Sequence, residues 1–416
     1  MKNNIINGFL SVLFLLSAVL FTSCNEDTPG KYQMTEGLPK VYFIRYQDKD
    51  LEEQLLTGAT MNDNIVIIGE NLTSVQQVLF NNVPATLNIN FITKNTLFVN
   101  VPGTLPSVVT DKIYFVNAKL DTFAYDFKVI VAAPTFARMK CEWVPEGRDV
   151  VVYGNSFFAT EASNLKVFVG NYQIPTENII SYERTKLVFK APPADISGPV
   201  EIRTLFGTTG PRDIFRDTRG MFGSFEEGFV PGWGRPTHIE NDPLLSINGN
   251  YVRLEGNIAA GEWVSGGNDM TINIWGEDNG VPTGNLFPSD PATSTLKLEV
   301  NVLEPWNAVP MIFTFYAQGG QEGYLWNDGN SAGGGQPRGV WVPWLGSGSY
   351  TGDGWETISI PLSRMNLNGY GVEVPLSTAF GGFGLSIHNR GSAAWAGAAG
   401  NECRPRILVD NIRVIP

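Results

Sequence analysis

The chain has 416 residues, 43% of them hydrophobic, with 45 Gly, 26 Pro, 25 Phe and a net charge of −12. That length exceeds one ordinary core and implies two or three domains. The acidic balance and the lack of any Lys/Arg cluster exclude nucleic acid, whose binding needs a basic surface, and disfavour an anionic polysaccharide, whose path would carry Arg and Lys. Three cysteines cannot make a disulfide framework, and Cys141 and Cys403 are expected as free, buried thiols.

Residues 1–24 begin with Met-Lys-Asn-Asn, continue with an apolar run from Ile5 to Phe21, and end in Thr22-Ser23-Cys24. A positive start, a hydrophobic segment and small residues before a cysteine read as a cleaved export signal, not as structure. The cysteine at the cleavage point resembles the bacterial lipobox, which implies that Cys24 is acylated and becomes the first residue of the mature protein. The acidic Asn25-Glu26-Asp27 that follows looks like the surface-export signal of Bacteroidetes lipoproteins. No other segment reaches the roughly 18 apolar residues that span a bilayer, so the membrane would be held through lipid alone. Residues 25–38, polar and glycine-containing, read as a tether.

Two similar stretches follow, 39–131 and 132–216. Asn64-Ile65-Val66-Ile67-Ile68-Gly69-Glu70-Asn71-Leu72 is a β-branched strand running into a glycine turn. Asp149-Val150-Val151-Val152-Tyr153-Gly154-Asn155-Ser156-Phe157 repeats it. Val78-Leu79-Phe80-Asn81-Asn82 recurs as Val167-Phe168-Val169-Gly170-Asn171, and Leu97-Phe98-Val99-Asn100-Val101-Pro102 as Leu187-Val188-Phe189-Lys190-Ala191-Pro192. Such self-similarity predicts tandem copies of one small β-sandwich. The motifs resemble the immunoglobulin-like IPT/TIG fold of plexins and transcription factors. Pro134 and Pro211 lie near the junctions, where they stiffen linkers. Trp143 is the only tryptophan in either copy, so the copies read as a semi-rigid stalk without an aromatic platform.

From 217 to 416 the composition shifts to Trp, Gly and Asn, and about 200 residues suit one jelly-roll β-sandwich. Strands are legible at Tyr251–Leu254, Leu296–Val302, Met311–Tyr316, Trp355–Leu362, Gly384–His388 and Ile407–Val414. Leu296, Leu298 and Val300 alternate with Lys297, Glu299 and Asn301, which predicts one face on the core and one elsewhere. The fold class expected is therefore all-β: tandem immunoglobulin-like sandwiches followed by a larger jelly roll.

Nine of the ten tryptophans lie at or beyond Trp233. Cores favour Leu, Ile, Val and Phe, because an indole needs a partner for its N–H. Indoles among glycine-rich loops therefore suggest rings that face outward to a flat, weakly polar ligand such as a sugar. Tyr324 and Trp326, one residue apart, would share a face at about 7 Å if extended. Trp341 and Trp344 fall in a proline-containing loop, and Trp306 follows Glu304-Pro305 as a loop-tip residue. These five, with Tyr350, are the candidate glycan-binding residues. Asn327, Asp328, Gln336 and Arg338 are nearby polar groups able to bond hydroxyls and set orientation, though each is expected simply to face solvent. Trp355, opening a strand, is expected in the core, Trp233 and Trp263 as structural or rim residues, and Trp275 and Trp395 stay unassigned. At ~50 Å² and ~25 cal/mol/Å² each platform contributes ~1.3 kcal/mol, so three give ~4 kcal/mol, near millimolar affinity.

Gly354-Trp355-Glu356-Thr357-Ile358-Ser359-Ile360-Pro361-Leu362 and the closing Val409-Asp410-Asn411-Ile412-Arg413-Val414 look like strands of jelly-roll carbohydrate-binding modules. With the lipobox and the tandem repeats, the chain resembles the surface glycan-binding proteins of Bacteroidetes polysaccharide-utilisation loci, nearest the type whose terminal domain binds xyloglucan or a related β-glucan. The resemblance implies a neutral polysaccharide ligand and a lipid anchor on the extracellular face of the outer membrane. It also implies a TonB-dependent transporter and a surface glycosidase of the same Sus-like system as partners.

Catalytic material is sparse. Only His238 and His388 exist, which leaves little for a Ser-His-Asp arrangement, and no His/Cys cluster has metal-ligand spacing. No cofactor is expected; a structural Ca²⁺ is an extra seen in similar sandwiches, but no loop here is acidic enough to assign one. The chain is therefore read as a binding protein and not an enzyme. A surface endo-glycanase pairing Asp353 with Glu277 or Glu299 and a non-glycan adhesin or scaffold remain the alternatives.

Overall fold

The computed structural model describes residues 32–160, 164–226, 238–260, 264–265, 270–275, 290, 292–317, 338–366, 373, 380–389 and 401–416. Among them every regular element is a strand or a single 3₁₀ turn. The chain forms two compact units, the first closing at Ala132 and the second running from Ala133 to Pro416 apart from Ala159–Glu161.

The first unit is an immunoglobulin-like sandwich. One sheet orders Lys40–Tyr46, Asn64–Glu70 and Thr96–Asn100; the other orders Val83–Pro84, Val75–Phe80, Lys112–Asn117 and Thr122–Asp126. Alternate residues turn inward, so Ile44, Ile65, Ile67, Leu97 and Val99 meet Val78, Phe80, Ile113 and Phe115 in the core. Phe127 closes it edge-on to Phe80 at 6.1 Å.

The second unit starts with the repeat of that design. Thr135–Met139, Asp149–Asn155, Lys186–Lys190 and Ile179–Tyr182 form one sheet, opposed by Tyr172–Gln173, Lys166–Val169, Gly198–Thr204 and Gly207–Thr208. The repeated glycine has a backbone cause. The strand opposite bulges between Val41 and Phe43 in one copy and between Phe136 and Arg138 in the other. This brings a carbonyl so near that a Cβ at Gly69 would stand 2.0 Å from Lys40 O, and one at Gly154 2.0 Å from Thr135 O. Only glycine tolerates the approach. Two residues later Asn71 and Ser156 both take φ = 59°.

The remainder is a jelly-roll sandwich. Its first sheet orders Ile239–Glu240, Tyr251–Glu255, Arg406–Ile415, Thr295–Val302 and Glu356–Pro361, with Met221–Gly223 also on Arg406–Ile415. Its second orders Val264–Ser265, Phe380–Asn389, Met311–Ala317 and Arg338–Trp341, with Thr271–Trp275 on Phe380–Asn389. Leu296, Leu298, Val300, Val409 and Ile412 from the first sheet pack on Phe313, Phe315, Phe383 and Leu385 from the second, with Phe315 and Phe383 rings 5.2 Å apart. Cys141 and Cys403 are free and buried.

The alternation in Thr295–Val302 has an outcome that periodicity alone does not suggest. Lys297 and Glu299 are buried as fully as their apolar neighbours, because the second immunoglobulin-like domain covers the sheet's outer face. Glu142 of that domain pairs with Lys297 and, at 2.7 Å, with Arg413, which pairs in turn with Glu299 at 2.7 Å. Thr357 Oγ1 donates to Glu299 at 2.8 Å and accepts from the Glu142 N–H at 2.7 Å, while the Thr357 N–H donates to Lys140 O at 2.8 Å. Burial pushes the Glu299 carboxyl up, and the Arg413 guanidinium opposes that shift. The register slips between Lys297 and Glu299, with Asn411 opposite the slip at φ = 51°.

Removing one member of a buried ion pair strands the rest, at about 3–5 kcal/mol. Glu142→Ala is therefore expected to lower the melting temperature of the second unit by several degrees, read by calorimetry. Asp410 in the same face is pushed well above the usual carboxylate range by burial, its Oδ1 taking the Asn411 N–H at 2.7 Å. An acid raised in the folded state holds its proton more tightly there. Stability is therefore lost as pH climbs from the unfolded value of about 3.9 through the folded one. Asp410→Asn should raise the melting temperature at pH 7 and change it little at pH 3.

Candidate functional site

Met311–Ala317 pairs with Arg338–Trp341, from Met311 against Trp341 to Thr314 against Arg338. Residues 318–337, which join the two strands, are outside the described residues, and with them Tyr324, Trp326, Asn327, Asp328 and Gln336. The connection is rooted at the Arg338 end. Trp341 lies three residues on, about 10 Å at the strand rise.

At the Trp341 end three predicted rings come together. Trp341 is half-buried, 5.5 Å from the Trp306 ring and 5.8 Å from Tyr350, the latter pair nearly perpendicular at 76°. Trp306 and Tyr350 exchange backbone hydrogen bonds of 2.9 and 2.8 Å. The Tyr350 hydroxyl donates to Glu356, and burial together with that carboxylate pushes the phenol up, so it stays protonated. Leu345, on the turn between, is exposed.

Two of the predicted platform residues are corrected. Trp306 is not a loop tip but a core residue at 0% exposure, its Nε1 donating to Ala308 O at 2.7 Å and Val309 O at 3.0 Å. The local turn, with Val309 at φ = 69°, supplies the acceptors that water would otherwise provide. Trp344 is also in the core at 3% exposure, because the turn after Trp341 folds its ring inward. Arg338, expected among the solvent-facing polar groups, is buried. What reaches the surface is the half-buried pair Trp341 and Tyr350, laid on Trp306.

Trp355, expected in the core, is half-buried. It donates from Nε1 to Leu245 O at 2.6 Å and meets Tyr251 edge-on at 6.1 Å. No signal in the sequence marked Leu245 as its partner, 110 residues away. Trp233, Trp263 and Trp395, with Glu277 and Cys24, fall outside the described residues. Among the described residues no group of three or more His, Cys, Asp or Glu could hold a metal ion. Glu299, one of the carboxylates of the endo-glycanase alternative, is wholly buried against Arg413.

Immunoglobulin-like sandwiches carrying a jelly roll with an aromatic edge define a class of modular all-β binding proteins. Residues 215–416 match the family described as the surface glycan-binding protein B xyloglucan-binding domain. The surface glycan-binding protein PbSGBP-B from Prevotella bryantii is 30% identical, covering 92% of this chain and 100% of its own, with a TM-score of 0.65. The chain belongs to the surface glycan-binding protein B family. An SGBP-B from a complex xyloglucan utilization locus in Bacteroides uniformis is similar over 91% of this chain and 99% of its own, at 16% identity and a TM-score of 0.46. An IPT/TIG domain-containing protein of Bacteroides ovatus is 23% identical over 184 residues, 42% of this chain; the match spans 36% of that relative's length.

Buried and half-buried rings separate stability from binding. Trp306→Ala is expected to destabilise by about 3–5 kcal/mol, and Trp341→Ala by clearly less, in denaturant unfolding followed by fluorescence.

Proposed function

We propose that this protein captures a neutral polysaccharide, xyloglucan or a related β-glucan, at the cell surface. Its ligand lies along an aromatic face that includes Trp341 and Tyr350, and the sequence adds Tyr324 and Trp326, outside the described residues, as further ligand contacts. The observation that carries the reading is the family match over residues 215–416, which covers the described aromatic edge. The geometry supports it: Trp341 is held on its inner side by Trp306 and Tyr350, so its position is set before a ligand arrives. A preset ring loses less freedom on binding than a mobile one. The net charge of −12 suits an uncharged chain.

The protein acts without cleaving what it holds. Glu299, the buried partner of Arg413, is spent on the fold and cannot flank a glycosidic bond. Acylation at Cys24 anchors the chain to the outer membrane, and the captured glycan passes to a TonB-dependent transporter and a surface glycosidase of the same system.

The test is a panel of xyloglucan, mixed-linkage glucan, laminarin and mannan in native gels, with assay of new reducing ends. Retardation by a β-glucan without new ends is expected. Trp341→Ala, Tyr324→Ala and Trp326→Ala should each weaken it by about tenfold, the effect of about 1.4 kcal/mol. Unchanged retardation in all three variants places the ligand elsewhere, and new reducing ends make the protein an endo-glycanase.

A further inference from the structure

A concavity lies where the second immunoglobulin-like domain meets the jelly roll. Its volume is about 330 Å³, at the lower end of the about 300–1,000 Å³ of small-molecule sites, which favour domain junctions. That size suits one or two rings, not a long chain. Trp143 and Val151 of the immunoglobulin-like domain form its wall together with Trp355 of the jelly roll. Two indoles from different domains thus border one cavity, and Trp143 is the single tryptophan of the stalk.

The polar groups of the cavity are charged and near its mouth. Lys140 Nζ lies 3.1 Å from Asp353 Oδ2, and the Asp353 side chain is fully exposed. Asp149 also lines the cavity and pairs with Lys190 at 2.7 Å. The two carboxylates accept from hydroxyls and the Lys140 ammonium donates to ring oxygens; with Lys140 on Asp353 and Lys190 on Asp149 the charges balance, which suits an uncharged ligand. Trp143 is buried and Trp355 half-buried, so both rings are held in place before a ligand arrives. Aromatic walls with acidic acceptors at the rim recognise a polyol ring.

The geometry points to a second sugar site at this junction, taking one or two neutral pyranose rings, such as a terminal or branching residue of the polysaccharide. The inference rests on the reading that the protein meets neutral glycans. Because the walls come from both domains, a ring seated there bridges them and adds a contact beyond Trp341 and Tyr350. One polysaccharide engaging both sites gains through effective concentration.

The test labels the full chain with ¹⁵N at tryptophan and titrates it with glucose, xylose, galactose and cellobiose. The indole signals of Trp143 and Trp355 are assigned by Trp→Phe exchange. Both signals are expected to move saturably with at least one sugar. Val151→Phe, which fills the cavity from a half-buried position, should abolish the movement while the melting temperature holds. Asp353→Ala, altering a fully exposed side chain, should weaken binding several-fold. Stationary signals with all four sugars, or movement that persists in Val151→Phe, overturn the inference. If β-glucan still retards the protein in gels while both indoles stay still, the junction site alone fails. If no glycan retards the protein and no indole moves, the glycan reading fails with it.

Discussion

The second unit depends on a buried exchange of charge. Glu142, Lys297, Glu299 and Arg413 are all withdrawn from water, and each is affordable there only because the others are present. Two of the four lie 271 positions apart in the chain, so the arrangement exists only when the immunoglobulin-like domain has docked on the jelly-roll sheet. Replacing such a cluster by apolar residues is often neutral or stabilising, so it counts for little as a source of stability. Its effect is on geometry. An apolar interface tolerates sliding; paired carboxylates and a guanidinium with fixed hydrogen-bond directions accept one register. The jelly roll is therefore held in one orientation on its neighbour.

The repeats were legible because their signals are local. β-Branched strands running into a glycine report an inward-facing strand and a backbone approach, and Gly69 and Gly154 meet equivalent carbonyls, Lys40 O and Thr135 O, in the same way. The sheet of the jelly roll was legible for the same reason, through Leu296, Leu298 and Val300. What could not be read was the fate of the opposite face. A polar alternation looks the same whether water or a complementary domain covers it, and Lys297 and Glu299 carry no mark of a partner more than 100 residues away.

The aromatic argument failed and held along a physical line. It assumed that an indole in a glycine-rich region lacks both packing and an acceptor. Trp306 has both, since the turn at Ala308–Val309 curls its carbonyls onto the ring nitrogen, and Trp344 finds the core across a tight turn. Trp341 fits the assumption only in part: its one side packs on rings, and its half-burial leaves surface available. Composition thus overcounted the outward-facing rings among the described residues.

Fewer platforms change the energetics of binding. In the proposed site, with Trp306 and Trp344 withdrawn into the core, Trp341 and Tyr350 would supply about 2–3 kcal/mol of apolar contact at ~25 cal/mol/Å². Each platform contributes little by itself. A weak surface gains most from being held still, because an orientation fixed before binding leaves less entropy to lose afterwards. The ion cluster supplies that fixity at the junction, and a long glycan with many equivalent rings supplies repeated chances to rebind. On the proposed reading the buried charges and the half-buried rings act together: the first fix the jelly roll on its neighbour, so that the second can work with few contacts.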